Sequence, residues 1–586
     1  MIYYSDKVFF YVGLPAQEGR IGIMRLIDWG INGFDRDTAV KFCREGINPL
    51  VSVFLASRGI VDHEAIQVIL GKSPEELYDP FLLADMEKAV RRIHTAVEKG
   101  ERIAVYGDYD VDGMTSCAIL TLWLREKGAD FEIYIPSRLE EGYSLNKPAI
   151  DMLRSHGVSL IITVDCGITS IEEAEYARSA GLGLVITDHH ECKAQLPEAD
   201  AVIDPKRPDC SYPNKLLAGV GVAFKLVCAL ERETSHDIML QRYGDLVAIG
   251  TIADVMPVTG ENRILIRRGL RDLNERPRLG FMNLLEENYI EHKKITTATV
   301  GFILAPRLNA AGRMGRTMLS VELLLTEDNA EAERLTAELN NLNTERRKLE
   351  SEIFDEAIAM LPEQGPDGPI ILAKRGWYQG VTGIVAAKMA ERFLVPAIII
   401  SIGDDGTGRG SCRSIGKFGI YNALHSCEEL LDNYGGHDMA SGVTIAEENI
   451  NLFSKHIRKL YQDSKESIST KGLRMDFEVE KPELLTIKNV EALETLEPFG
   501  NGNAPPLLCI RGALLTAVNS IGAGKHTRLK IEKAGRSLDC IYFAMPTGNL
   551  DVSEGMRVDI AFEPQINSFR GRSNVQLQVF DIKASG

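Results

Sequence analysis

Between residues 88 and 205 short apolar runs alternate with longer amphipathic stretches. The runs at 103–106 (IAVY), 131–135 (FEIYI), 160–164 (LIITV), 184–187 (LVIT) and 201–203 (AVI) are rich in β-branched residues. Helical patterns, such as 114–127 and 171–180, lie between them. Strand–helix alternation of this kind predicts a parallel, doubly wound sheet. Residues 216–233 and 245–255 read as two more helices. From 328 to 361 a charged stretch contains no Gly or Pro and reads as a long connecting helix, broken by EQGPDG at 363–368. A second α/β unit follows from 368: strand PIILA, a glycine-bearing loop, helix IVAAKMAERF, strand AIIIS, ending near 465. The last part, 505–582, holds at least five strand-like runs separated by loops such as IGAGKH (521–526) and SFRGRSN (568–574). A small β-barrel of the OB type fits, and such barrels bind single strands. The predicted organisation is a polar helical region (1–80), a parallel-sheet α/β domain (81–327), a connecting helix (328–362), a second α/β domain (363–465) and an OB-like barrel (470–586).

Length agrees with that division, since 586 residues exceed what one hydrophobic core supports. No run approaches the 18 or so apolar residues of a membrane span, and the first residues, MIYYSDKVFFYVG, lack the basic region and cleavage site of a signal peptide. The ten cysteines include no C-x-x-C pair, which argues against a zinc ribbon or a secreted disulfide framework and for a reducing cytoplasm. The net charge of −17 argues against a polyanionic partner, but the charge is uneven. From Asn501 to Gly586 ten Lys/Arg stand against seven Asp/Glu, +3 in all.

The chemistry concentrates in VYGDYDVDGMTS. Asp108, Asp110 and Asp112 follow a strand and precede a helix, the edge where open α/β sheets bind ligands. Carboxylates that close repel one another and are tolerated in water or around a cation. An EF-hand loop begins similarly but needs Glu at its twelfth position, which here is Ile119. The same edge recurs: LIITV runs into Asp165, LVIT into Asp188, His189 and His190, and Asp254 follows the apolar stretch DLVAIGTIA. A single Asp at a strand end is ordinarily a helix cap, and a lone His pair is ordinarily structural. Several converging on one rim are not. Carboxylate and imidazole donors without thiolate suit Mn²⁺ or Mg²⁺, and a two-metal centre suits displacement at phosphorus.

GDYDVDG, TVDCGI, TDHH and the Asp of GTIADVMP, in this order, resemble the successive motifs of the DHH phosphoesterases. The resemblance implies that Asp110, Asp112, Asp165, His189 and Asp254 ligate two metal ions, with Asp108 and His190 close partners and His190 beside the phosphate. Which acid bridges the ions stays open.

Phosphate-holding groups are offered by SRLEEGY (Arg138) and APRLNAAGRMG (Arg307, Asn309, Arg313), since guanidinium binds phosphate bidentately and keeps its charge. GWYQGVTGIVA puts Gly380 and Gly383 before a helix, where free N–H groups attract anions. GTGRGSCRSIG supplies Arg409, Ser411, Arg413 and Ser414, and YGGHDMASG supplies Gly436 and His437. These three pieces resemble the DHHA1 domain. GAGKHT (522–527) is no P-loop, because Asn519 stands where glycine is required and His526 where Ser/Thr is. Its hairpin, with Arg528, Lys530, Arg570, Arg572 and the aromatics Tyr542, Phe543 and Phe569, could track a strand.

From about residue 50 to 580, through EPFGNGNAPP, the chain resembles the RecJ-type exonucleases. That resemblance implies a single-strand-specific DNA exonuclease of repair and recombination, acting 5′→3′ with two Mn²⁺ or Mg²⁺ ions and releasing 5′-mononucleotides. It also implies single-stranded DNA as substrate, a helicase and a single-strand-binding protein as partners, no membrane, and a monomer. Shorter relatives, oligoribonucleases and small-nucleotide phosphodiesterases, are the alternative.

Overall fold

The computed structural model describes residues 29–71, 76–138, 141–142, 144–288, 290, 294–464, 472–569 and 572–586. Residues 1–28, the Phe569 side chain and Arg570 lie outside it.

The strands are β1 (Trp29–Ile31), β2 (Ile103–Tyr106), β3 (Phe131–Tyr134), β4 (Leu160–Val164), β5 (Gly183–Thr187), β6 (Ala201–Ile203), β7 (Ile370–Arg375), β8 (Ala397–Ile402), β9 (Thr407–Arg413), β10 (Asn433–His437), β11 (Ala440–Ala446), β12 (Leu473–Met475), β13 (Phe477–Glu478), β14 (Leu508–Ile521), β15 (His526–Lys533), β16 (Arg536–Tyr542), β17 (Arg557–Phe569) and β18 (Arg572–Ala584). The helices used below are α1 (Arg36–Arg44), α2 (Pro49–Ser57), α3 (His63–Ile69), α4 (Met86–Lys99), α5 (Val111–Glu126), α6 (Lys147–Ser155), α7 (Ile171–Ser179), α8 (Gly219–Leu230), α9 (His236–Ala253) and α10 (Gly260–Glu275).

β2 to β6 form a five-stranded parallel sheet in the order β3-β2-β4-β5-β6. Every residue of β2 and β4 is buried, which explains their unbroken apolar character: helices cover both faces. The chain passes from β2 outward to β3, then returns to the other side of β2 at β4. A crevice opens at such a reversal, beyond the carboxyl ends of the strands.

The connecting helix spans Asn329–Ala359, with Asp328 as its N-cap. Beyond it, β7 to β11 form a mixed sheet ordered β10-β11-β9-β8-β7. β14, β15, β16, β18 and β17 close into a five-strand barrel through the β14–β17 pairing. The α/β class, the long connecting helix and the OB-like barrel are therefore as the sequence predicts.

Within the first 80 residues, the described stretch 29–71 differs from the expectation of a polar region. Seven of the nine residues of α2 are buried, and Phe42, Leu50, Phe54, Leu55 and Ile66 share one core with Phe477, Leu493, Leu508 and Phe562 of the C-terminal unit. β1 pairs in parallel with β12, and Arg58 grips Asp476 with two bonds (2.8 and 3.0 Å). Among the described residues no helix is long and apolar enough to cross a membrane.

Candidate metal centre and phosphate-binding groups

The crevice is lined by acids that local structure fixes in place. Asp110 caps α5, its Oδ1 accepting from the Asp112 and Gly113 amides (3.0 and 3.2 Å). Asp112, in the first turn of α5, faces the start of α8: the Gly219 amide donates to Oδ2 and the Val220 amide to Oδ1, both at 2.7 Å. A helix N-terminus suits a carboxylate through its free N–H groups and its dipole. Asp165 directly follows β4 with φ +62°, outside the usual range for a residue with a side chain. Glycine at 219 permits this packing, since a Cβ there would lie 2.4 Å from Asp165 Oδ1. Asp254 is the residue at which α9 ends.

His189 aims into the middle of these groups. Its Nε2 lies 3.1 Å from Asp165 Oδ1, 3.6 Å from Asp254 Oδ2 and 3.7 Å from Asp112 Oδ2. Burial, then the neighbouring His190, pushes its pKa down to about 3, so the imidazole is neutral, the form that binds metal. Three overlapping sets of donors each converge within 4.8 Å: Asp165, His189 and His190; Asp112, His189 and Asp254; Asp108, Asp110 and Asp165. All seven acids and histidines expected from the sequence thus meet in one cluster, with Asp165 and His189 each common to two sets.

The electrostatics of the cluster call for a cation. Burial raises Asp108, Asp165 and Asp254 well above the ordinary carboxylate range, and the charges of neighbouring aspartates raise them further. Burial and Asp110 push Asp112 up to about 7. The buried oxygens Asp108 Oδ1 and Asp254 Oδ2 accept no hydrogen bond. Oxygens desolvated without donors, beside a neutral imidazole and with no thiolate in the set, fit a hard divalent ion.

Asp188 was not among the site residues expected from the sequence, and it organises the histidines. Its Oδ1 accepts from the His189 amide (2.7 Å) and the His190 amide (3.2 Å) and pairs with His190 Nδ1 (2.7 Å), while Oδ2 accepts from the Ile168 amide (2.9 Å). Its signal was its place, an acid at a strand end directly before two histidines. Burial alone would lower the His190 pKa, but the bond to Asp188 and its charge raise it to about 9. Burial alone would raise that of Asp188, but His190 brings it to about 2. In the metal-free protein the pair is ionised between those limits. The histidine's stabilising contribution is therefore complete below its unfolded pKa of about 6.5 and lost as pH rises through about 9. Asp188→Asn should bring the His190 pKa down by two or more units, read by NMR titration of its ring protons; an unmoved titration would contradict this assignment.

The cationic groups come from both α/β units and the connecting helix. The Arg138 guanidinium sits 4.9 Å over the Tyr109 ring. Arg313 is pushed down to about 9 by burial, then by Arg138, Arg346 and Arg413. Arg346, from the connecting helix, was also missed; it is a buried helical arginine bonded to Asn343 and Glu350. Arg313 Nη1 donates to the Gly380 carbonyl at 3.4 Å, and a Cβ on Gly380 would lie 2.2 Å from the Arg313 carbonyl, so glycine lets the second α/β unit close against the first. On β9, Arg409, Ser411 and Arg413 alternate onto one face, with Arg409 exposed. Ser411 Oγ meets Thr382 Oγ1 at 3.2 Å, and Gly383 lies against Ser411 and Arg413. Gly436 and exposed His437 lie at the end of β10, before its hairpin turn into β11.

Other candidates make bonds that hold the scaffold. Asn309 Oδ1 accepts from the Val111 amide at 3.2 Å. Arg307 donates to Asn340 Oδ1 and the Ile303 carbonyl (2.9 and 2.7 Å). The buried Ser414 hydroxyl donates to the Phe418 carbonyl.

Three family models match: the DHH family N-terminal domain at 102–251, the DHHA1 domain at 367–463 and the RecJ OB domain at 475–581. The single-stranded-DNA-specific exonuclease RecJ of Escherichia coli is 34% identical over 91% of this chain and 96% of its own length. The chain belongs to the RecJ family. The RecJ of Bacillus subtilis is 38% identical, over 95% of this chain and 71% of its own. The crystal structure of RecJ from Thermus thermophilus in complex with Mn²⁺ superposes with a TM-score of 0.81 at 29% identity, covering 95% of this chain and 80% of that one. A second structure of that RecJ holds Mg²⁺.

Proposed function

We propose that the chain is a single-strand-specific DNA exonuclease of repair and recombination, working 5′→3′ by two-metal hydrolysis and releasing 5′-mononucleotides. The observation that carries the reading is the meeting of seven acids and histidines in overlapping donor sets beside a cluster of guanidiniums. Its substrate and direction come from the RecJ family. The small-nucleotide reading is not favoured, because the match to RecJ runs on through the OB unit.

Asp108, Asp110, Asp112, Asp165, His189 and Asp254 would hold two divalent ions, Mn²⁺ or Mg²⁺. Such ions lower the pKa of a bound water and polarise the scissile phosphate. His190, kept protonated by Asp188 in the metal-free protein, stands beside the cluster to face phosphate charge. Arg138, Arg313, Ser411 and Arg413 neutralise and orient the phosphates, charge stabilisation that grows toward the transition state. The partners proposed with this activity are single-stranded DNA and, from the family, a helicase and a single-strand-binding protein. A monomer in a reducing cytoplasm, with all ten cysteines unpaired, is the proposed working form.

The test is degradation of 5′- and 3′-labelled DNA, single-stranded and duplex, with Mn²⁺. Mononucleotide released early from the 5′ label of single strands, with duplex spared, is the expected result. Activity confined to oligomers of a few nucleotides would sink the proposal.

A further inference from the structure

The segment 497–503 (EPFGNGN), which leads into the barrel, has no part in the chemistry above. It lies against the residues that follow Asp254. Asn501 Nδ2 donates to the Val255 carbonyl at 3.0 Å, and the Val258 amide donates to the Asn501 carbonyl at 2.7 Å. One residue of the C-terminal unit thus brackets 255–258, beginning directly after Asp254.

That stretch needs holding. The Val255 amide donates to the Ile252 carbonyl (3.1 Å) and the Met256 amide to the Thr251 carbonyl (3.2 Å), the paired closure that ends many helices. Its left-handed position ordinarily takes glycine. Here it is Val255, at φ +58°. A β-branched residue in this conformation is strained, and such strain persists where the surroundings over-determine it. Relaxation of Val255 would swing the Asp254 carboxylate, which now points at His189.

The bracket is itself anchored. Arg263 of α10 donates to the carbonyls of Leu496 (3.0 Å), Glu497 (2.8 Å) and Pro498 (3.2 Å). Asn503 Nδ2 donates to those of Leu496 (3.0 Å) and Pro498 (2.8 Å). Asn503 thus folds the segment on itself, and Arg263 fixes it to the first α/β unit at a second place besides Asn501.

We propose that Asn501 is a positioning residue: the barrel's lead-in segment holds Asp254 in the acidic cluster, so the C-terminal unit completes the metal site as well as gripping DNA. The inference rests on the reading of Asp254 as a metal ligand.

The experiment uses the full chain, with Mn²⁺ affinity read by calorimetry and turnover read on a dinucleotide, which offers the barrel no strand to grip. Asn501→Ala should weaken Mn²⁺ binding about tenfold to a hundredfold, the usual effect of losing support behind a ligand. Turnover of the dinucleotide should fall at limiting Mn²⁺ and recover in excess. Val255→Gly added to Asn501→Ala should restore affinity, because glycine takes a positive φ without strain. Asn489→Ala removes a bond to the Leu484 carbonyl and another to Asn48, elsewhere in the same unit; it controls for lost stability and should leave Mn²⁺ affinity unchanged. If Asn501→Ala does not fold, Asn501→Asp keeps the shape, removes the amide donor, and is read the same way. Unchanged Mn²⁺ affinity in the Asn501 variant, with affinity lost in Asp254→Ala, overturns the proposal and leaves the metal centre standing. Unchanged affinity in Asp254→Ala removes the ligand reading and the proposal together.

Discussion

Asp165→Asn is expected to cut DNA hydrolysis roughly a thousandfold or more while raising the melting temperature of the metal-free protein. The two effects have one cause. Asp165 is buried among Asp112, Asp110, Asp108 and Asp254, and each of these charges disfavours its own. Without a cation the folded protein binds protons there more tightly than the unfolded chain does, so at neutral pH the acid costs stability. Asparagine keeps the shape and removes the charge. It also removes a donor common to two of the three ligand sets. The stabilisation that Mn²⁺ gives the wild type, about 2.7 kcal/mol at a hundredfold excess over Kd, should be absent from the variant. Protons compete for the same oxygens, so wild-type Mn²⁺ affinity should fall as pH drops below about 7, the value to which Asp112 is pushed. Thermal melts with and without Mn²⁺ check both halves. A variant less stable than the wild type without metal, yet still stabilised by Mn²⁺, would contradict the arrangement.

The second large effect is expected from the guanidiniums. Burial of Arg313 and the charges of Arg138, Arg346 and Arg413 around it make an anion welcome beside it. Arg413→Ala should lower kcat/KM on single-stranded DNA about tenfold to a hundredfold, the worth of one or two charge-assisted hydrogen bonds. It should also flatten the dependence of log affinity on log salt by about 0.7 for each phosphate no longer neutralised. Arg413→Lys should not rescue it, because an ammonium lacks the planar fork. A salt slope unchanged in Arg413→Ala would put the phosphate elsewhere.

The strands of the first sheet were legible because β2 and β4 are buried on both faces and so read as unbroken apolar runs. The acids were legible because they stand at strand ends, where backbone topology alone brings them to one rim. What the sequence hid was held by contacts between distant residues. The first helices share a core with a barrel more than 400 residues away, and Arg58 pairs with Asp476; local periodicity carries no trace of such partners. Asp188 was visible as a letter of the motif, but its work is to bind two amides and an imidazole. Arg346 looked like any other charge on a long solvated helix. Arg307 and Asn309 stood in the right segment, and the structure gives them bonds to the scaffold.

The central claim is that the rim of the parallel sheet is a two-metal centre. The measurement that tests it most directly is anomalous diffraction at the manganese edge from crystals of the chain grown with Mn²⁺. Two peaks within the cluster, both in reach of Asp165 and His189 and both absent in Asp165→Asn, are what the account predicts. Manganese bound away from these side chains, or no manganese at saturating concentration, would contradict it.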